Sequence, residues 1–216
     1  QHNHPLMAFE SVSDFVSLLE KEGELLRITE PVNTELEITA LDNREMKSPA
    51  GGKALLIEKP ILPDGRESAF PVLINALGSA KRMALSLSVS EVEEVANQMA
   101  FLMKAKPPKN LTQAWELLRN GIDVVHARPA RVKSGRCKDV VWRFDGEGDA
   151  PTRGMNDLPV LKCWPQDGGP FVTLPTVYTQ DPDTGERNIG MYRMQGFDYR
   201  TTGMHWQLHK VAARQV

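Results

Sequence analysis

Residues able to hold a metal ion and an anion crowd into two short strand-like runs near the carboxyl end, 188–195 and 204–210. Asn188 offers an amide oxygen, a hard donor suited to Mg²⁺ or Mn²⁺. His205 and His209 offer imidazole, a common ligand of Mn²⁺, Fe²⁺ and Zn²⁺. Arg193 lies among Met191, Tyr192 and Met194. An arginine in such apolar company calls for an anionic partner, whether ligand or carboxylate. Lys210 can meet a phosphate as a point charge.

Strand alternation sorts these groups. Along 204–210 it puts His205, Gln207 and His209 on one face and Trp206 and Leu208 on the other, the pattern of a strand lining a cavity. Along 188–195 it separates Asn188 from Arg193, so one shared ligand requires a bulge, or Asn188 outside the ladder. Blander readings stay open. The histidines also fit a solvated face, Asn188 a turn position, Arg193 a structural ion pair, and Lys210 plain surface. Trp164 and Trp206 are expected in the core rather than as stacking platforms. Gly168-Gly169 is no phosphate loop, and GxGxxG, GxSxG and HExxH are absent from the sequence.

The elements that must position these residues follow from pattern. Ser13 is expected to cap a helix with Phe15, Val16 and Leu19 on one face, stopped by Gly23. A short strand over 24–28, a helix over 35–46 and buried strands over 54–57 and 72–74 follow. Ser90 with Glu93 predicts a capping box before Val95, Met99, Phe101 and Leu102. A further helix is expected over 111–118. This alternation favours α/β layering. After about residue 120 the runs 124–125, 140–142, 171–174 and 176–179 are β-type. The turn Asp181-Pro-Asp-Thr-Gly185 is expected to join a strand over 171–179 to one over 187–195. A looser turn over 196–203 leads to a strand over 204–210. The second half therefore reads as an antiparallel barrel or sheet.

Bulk properties narrow the class. The 216 residues are 41% hydrophobic and 25% charged, with a formal net charge of −2. These are ordinary globular values, and the charge gives no broad attraction to nucleic acid or anionic membrane. No apolar run reaches the ~20 residues of a membrane span. Two distant cysteines, Cys137 and Cys163, fit a reducing compartment, with the cytoplasm the default. Residues 1–6 read as an appended remnant before a natural start at Met7, and their histidines are set aside.

The order of motifs resembles the UbiD-type decarboxylases. It runs through Leu158-Pro-x-Leu-x-x-Trp-Pro165, the Asp-Pro-x-Thr-Gly turn, Asn188-x-Gly-x-Tyr-Arg193-x-Gln195 and Thr202-Gly-Met-His-Trp206-x-x-His209. Phe15-x-x-Leu-Leu-Glu-x-x-Gly-Glu-Leu-x-Arg-Ile28, Pro71-Val-Leu-x-Asn75 and Gly78-Ser-x-Lys-Arg82 agree. The resemblance implies an N-terminal mixed α/β domain over 7–120. A partial antiparallel split β-barrel of flavin-reductase type would follow over 121–216. It implies reversible decarboxylation of an aromatic or α,β-unsaturated carboxylic acid, such as a polyprenyl hydroxybenzoate. The cofactor would be prenylated FMN, made by a separate flavin prenyltransferase, with Mn²⁺ or another divalent cation and K⁺ nearby.

By the motif, Asn188 and His209 would be metal ligands. Met191, Tyr192 and Arg193 would contact the cofactor, Arg193 being catalytic as well. His205, Trp206, Gln207 and Lys210 would line the cofactor site. The family's remaining metal ligand and its catalytic glutamates lie downstream of the His209 motif. The chain is therefore expected to be an N-terminal part lacking the C-terminal domain, inactive alone, and either self-associating or completed by a partner. A competing reading is a non-catalytic flavin-binding or assembly subunit of a multi-chain carboxylase. A third is an α/β interaction domain without ligand.

Overall fold

The computed structural model describes residues 9, 11–104, 132–141 and 154–207. Two compact units share the chain, Gln1–Leu25 with Ala76–Arg143 and Leu26–Asn75 with Phe144–Val216. The expected helix over 111–118 and run 124–125 lie outside the described residues, as do Leu208, His209 and Lys210.

In the first unit, helix α1 spans Val12–Lys21 and buries Phe15 and Leu19. Its cap is Ser11 rather than Ser13. Ser11 Oγ accepts from the Asp14 amide while the Asp14 carboxylate accepts from the Ser11 amide. That reciprocal box satisfies two donors that Ser13 cannot reach. Helix α3 spans Ala80–Ser86, capped by Ser79, and α4 spans Val92–Lys104. Glu94, not Glu93, closes the start of α4, accepting from the Ser90 and Glu91 amides. The helix begins at Val92, so its third position falls on Glu94. Val95 is half-buried and Met99 exposed. Val140 and Val141, expected as strand, are exposed and outside any strand.

In the second unit, strands β1 (Leu25–Asn33), β2 (Ala54–Ile61) and β3 (Val72–Ile74) form one sheet in that order. β2 and β3 run antiparallel with Leu56 opposite Leu73. Helix α2 spans Glu37–Met46 and starts two residues later than expected. Leu36 is held at φ 65°, its amide donating to the Lys162 carbonyl while Glu37 bonds back to Glu35. Val32, Ile38, Leu55 and Ile57 make the core, with Ile28, Leu41, Val72, Ile74 and Leu161 against it. Ala54 to Ile57 are buried without alternation, as an apolar run covered on both faces should be.

The rest of this unit holds five short strands. β4 (Phe171–Val172), β7 (Met194–Gly196) and β8 (Thr202–Met204) form one sheet, ordered β4-β7-β8. β5 (Thr176–Gln180) and β6 (Arg187–Met191) form a separate hairpin. Among the described residues these are small sheets and no closed barrel. Trp164 and Trp206 are exposed, not core. Trp164 begins a tight turn closed by Asp167, and Trp206 follows the end of β8.

Candidate functional site

The β5–β6 hairpin is built by its turn. Asp181 Oδ1 accepts from the Asp183 and Thr184 amides at 3.0 and 2.8 Å. The Asp181 carboxyl is held below its ordinary range, chiefly by the Thr184 amide. Gly185 supplies φ 71°. The turn fixes the register Gln180↔Arg187, and every later pair follows from it: Thr179↔Asn188, Tyr178↔Ile189, Val177↔Gly190 and Thr176↔Met191.

The two long strands expected here, 171–179 and 187–195, are each interrupted. The hairpin ladder stops at Thr176↔Met191, and the next sheet resumes at Val172↔Met194. Thr173, Leu174 and Pro175 on one side face Tyr192 and Arg193 on the other, three residues against two. Pro175 has no amide to give the ladder, and strands commonly change sheets at such bends. Asn188 therefore lies inside a regular ladder, and Arg193 lies in the break beyond it.

Asn188 is half-buried. Its Nδ2 donates to Thr179 Oγ1 at 3.3 Å and to the Tyr192 hydroxyl at 3.2 Å. Its Oδ1 accepts no hydrogen bond from a described residue, so a hard oxygen donor stays available. Tyr192 is 4% exposed. Gly190 makes room for it: a Cβ there would overlap ring Cε2 and lie 3.0 Å from Cζ and the hydroxyl.

Arg193 is exposed, its guanidinium 4.4 Å from the centre of the Phe171 ring. That contact fits a cation–π pair, and among the described residues no carboxylate meets the guanidinium. The Arg193 carbonyl accepts from the His205 amide at 2.9 Å. This bond extends the β7–β8 pairing by one step past Met194↔Met204. Of the described part of the expected strand, residues 204–207, only Met204 is in β8, and His205, Trp206 and Gln207 are all exposed beyond it. Met191 is exposed on the outer hairpin face with Tyr178 and Ile189. Sequence reading missed Thr179 as the partner of Asn188 and the buried reach of Tyr192, although the turn register carried the first.

Among the described residues, no three His, Cys, Asp or Glu side chains gather into a metal cluster. A cation here would draw on Asn188 with donors outside the described residues, and the free amide oxygen fits a hard ion. No described helix is long and apolar enough to cross a membrane.

Comparison with known proteins places this architecture. Residues 16–102 match the N-terminal domain of 3-octaprenyl-4-hydroxybenzoate carboxy-lyase, and residues 130–216 match its Rift-related domain. The chain belongs to this UbiD family of carboxy-lyases. A protein of Archaeoglobus fulgidus is 40% identical over 207 residues, covering 96% of this chain and 39% of the relative. One from Helicobacter pylori is 40% identical over 200 residues, covering 91% and 31%. The chain thus spans about two fifths or less of the curated relatives it matches. Among solved structures, Sedimentibacter hydroxybenzoicus vanillic acid decarboxylase in closed form has a TM-score of 0.70 at 24% identity, covering 96% of this chain and 39% of that one. The UbiD-class enzyme HmfF from Pelotomaculum thermopropionicum, in complex with prFMN, has a TM-score of 0.65 at 22% identity, with 92% and 39% covered. These two share the fold.

Proposed function

We propose that the chain supplies the N-terminal domain and the cofactor-holding domain of a UbiD-type decarboxylase, divided near residue 120. Such an enzyme reversibly removes CO₂ from an aromatic or α,β-unsaturated carboxylic acid. The carrying observation is Asn188: an amide gripped by its nitrogen inside a regular hairpin, its oxygen unengaged, five residues before an arginine in a strand break.

In this reading Asn188 and His209 hold a divalent cation, Mn²⁺ being the best match to an amide–imidazole pair. The cation offsets the phosphate charge of a flavin. Prenylated FMN, when bound, supplies the electron sink for loss of CO₂. The HmfF complex with prFMN supports that choice. Arg193 docks the substrate carboxylate or steadies a neighbouring acid. Met191, beside Ile189, offers apolar surface for a flat ring. His205, Trp206, Gln207 and Lys210 line the same region, and Tyr192 contacts the cofactor through its backbone. K⁺ near the phosphate, a flavin prenyltransferase as cofactor source and a cytoplasmic setting complete the proposal. The chain covers 39% of the Archaeoglobus fulgidus relative, and this reading assigns the remaining ligand and the proton-transfer acids to the part of such an enzyme that the match does not cover.

The test is expression of the whole protein beside a flavin prenyltransferase. Bound flavin is read by absorbance, Mn²⁺ by elemental analysis, and turnover on aromatic and acrylic acids by CO₂ release. Asn188→Ala should lose metal, and Arg193→Ala should lose turnover while keeping flavin. Wild-type rates in both variants would refute the assignment.

A further inference from the structure

The amide of Asn188 has two ways round, and only one presents oxygen outward. In the structure its nitrogen faces Thr179 Oγ1 and the Tyr192 hydroxyl, at 3.3 and 3.2 Å. Hydroxyls donate as well as accept. The amide flipped end for end would meet the same partners with its oxygen and turn its N–H groups toward the cation. Something must therefore set the orientation.

Three residues are arranged around this choice. Thr179 is the cross-strand partner of Asn188, fixed by the turn register. Tyr192 is the first residue past the end of β6, and its ring turns back over the strand on the side of Asn188 and Gly190. Gly190 lies between them, and the Tyr192 ring folds back across the space a side chain would take. The ring is buried, so the hydroxyl is delivered from a fixed direction rather than by a mobile surface side chain.

Resting on the cation reading above, we infer that Tyr192 is a positioning residue. A cation takes oxygen and repels N–H, so it selects the orientation with Oδ1 outward, and the Tyr192 hydroxyl, with Thr179 and in the room left by Gly190, holds the amide there by accepting from Nδ2. Partners of this kind around metal ligands orient them and raise their affinity, and their loss typically costs about 10–100-fold in binding.

The experiment uses the whole protein with Mn²⁺ alone as probe. Affinity is read by electron paramagnetic resonance, and the Asn188 side-chain amide by NMR on selectively labelled asparagine. Tyr192→Phe should weaken Mn²⁺ binding about tenfold, move the Asn188 amide protons and speed their exchange. Thr179→Val should act in the same direction, and Gly190→Ala should do so by displacing the ring. In an Asn188→Asp background the Tyr192→Phe loss should vanish, because a carboxylate presents an oxygen either way round. An equal loss in that background would mean general damage and would overturn the inference. So would a Tyr192→Phe chain with unchanged affinity and unchanged amide resonances. Should wild type take no Mn²⁺, the cation reading falls. The amide resonances then decide the positioning role alone: a shift on Tyr192→Phe upholds it and no change removes it.

Discussion

Replacing Glu24 by glutamine should destabilise the first unit more than replacing the fully buried Arg82 by methionine. Arg82 has no exposed surface, and its guanidinium meets Glu24 Oε2 at 3.1 Å. Glu24 is one-fifth exposed and also meets Lys81 at 2.9 Å. The two deletions are therefore unequal. Without the carboxylate charge, a buried cation loses its counter-charge. Breaking a buried pair in this way costs about 3–5 kcal/mol. The partial exposure of Glu24, the retained amide acceptor and the other contacts of Arg82 reduce this to about 2–3 kcal/mol. Without Arg82, Glu24 keeps Lys81 and water, and methionine fills most of the space, so about 1 kcal/mol is expected.

Acid gives an independent check. Glu24 titrates below its ordinary range, first because Lys81 hydrogen-bonds it and then because of Arg82, with burial opposing both. A carboxyl depressed in the fold stabilises fully above its unfolded value, and that stability is lost as pH falls through the depressed one. Wild type should lose protection in this window, whereas Glu24→Gln should be flat there. Hydrogen exchange of the α1 and α3 amides, followed against pH, reads both effects. A larger loss for Arg82→Met than for Glu24→Gln, or an acid limb surviving in Glu24→Gln, would refute the reasoning.

Gly52 sits at φ 55°, and a Cβ there would overlap the Glu45 carbonyl oxygen. Gly52→Ala should cost about 3 kcal/mol, against about 1 kcal/mol for Gly65→Ala, where φ is 85° but the space is open; urea denaturation measures both. Asp42 Oδ1 is buried without a hydrogen-bond partner, and burial raises its carboxyl. The fold thus favours the neutral form, so wild type gains stability as pH falls through the raised value. Asp42→Asn should gain about 1 kcal/mol at neutral pH and nothing in acid, by paired melts. Ile57→Ala, at a position with no exposure, should cost about 3–4 kcal/mol in chemical denaturation.

Local chemistry was the legible part of the fold. Runs such as 54–57 and 72–74 became strands because apolar residues bounded by turn formers have one favourable state. Asp181 to Gly185 made its turn because each residue supplies a needed group or dihedral. Errors of one or two residues arose where alternatives compete for the same donors. Ser11 and Ser13 are both of a capping residue type, and the Asp14 carboxylate reaching back to Ser11 decides between them. The interruption of 171–179 and 187–195 was not legible, because apolar character continues through Leu174 and Met194. Only the register on both sides shows that three residues oppose two.

The site illustrates both sides of this. With Gln180↔Arg187 set by the turn, counting outward gives Thr179 opposite Asn188 without any structure. Counting on by twos places Asn188, Gly190 and Tyr192 on one face, with the glycine leaving a gap that a ring can cross. The spacing Asn-x-Gly-x-Tyr therefore encodes an amide, an opening and a hydroxyl able to reach back through it. Arg193 follows a different logic. Strict alternation would turn it away from Asn188. Because the ladder breaks beside it, its direction is set by Phe171 and by the His205 amide on its carbonyl. Both contacts come from other strands or their ends, and no period within 187–195 contains them.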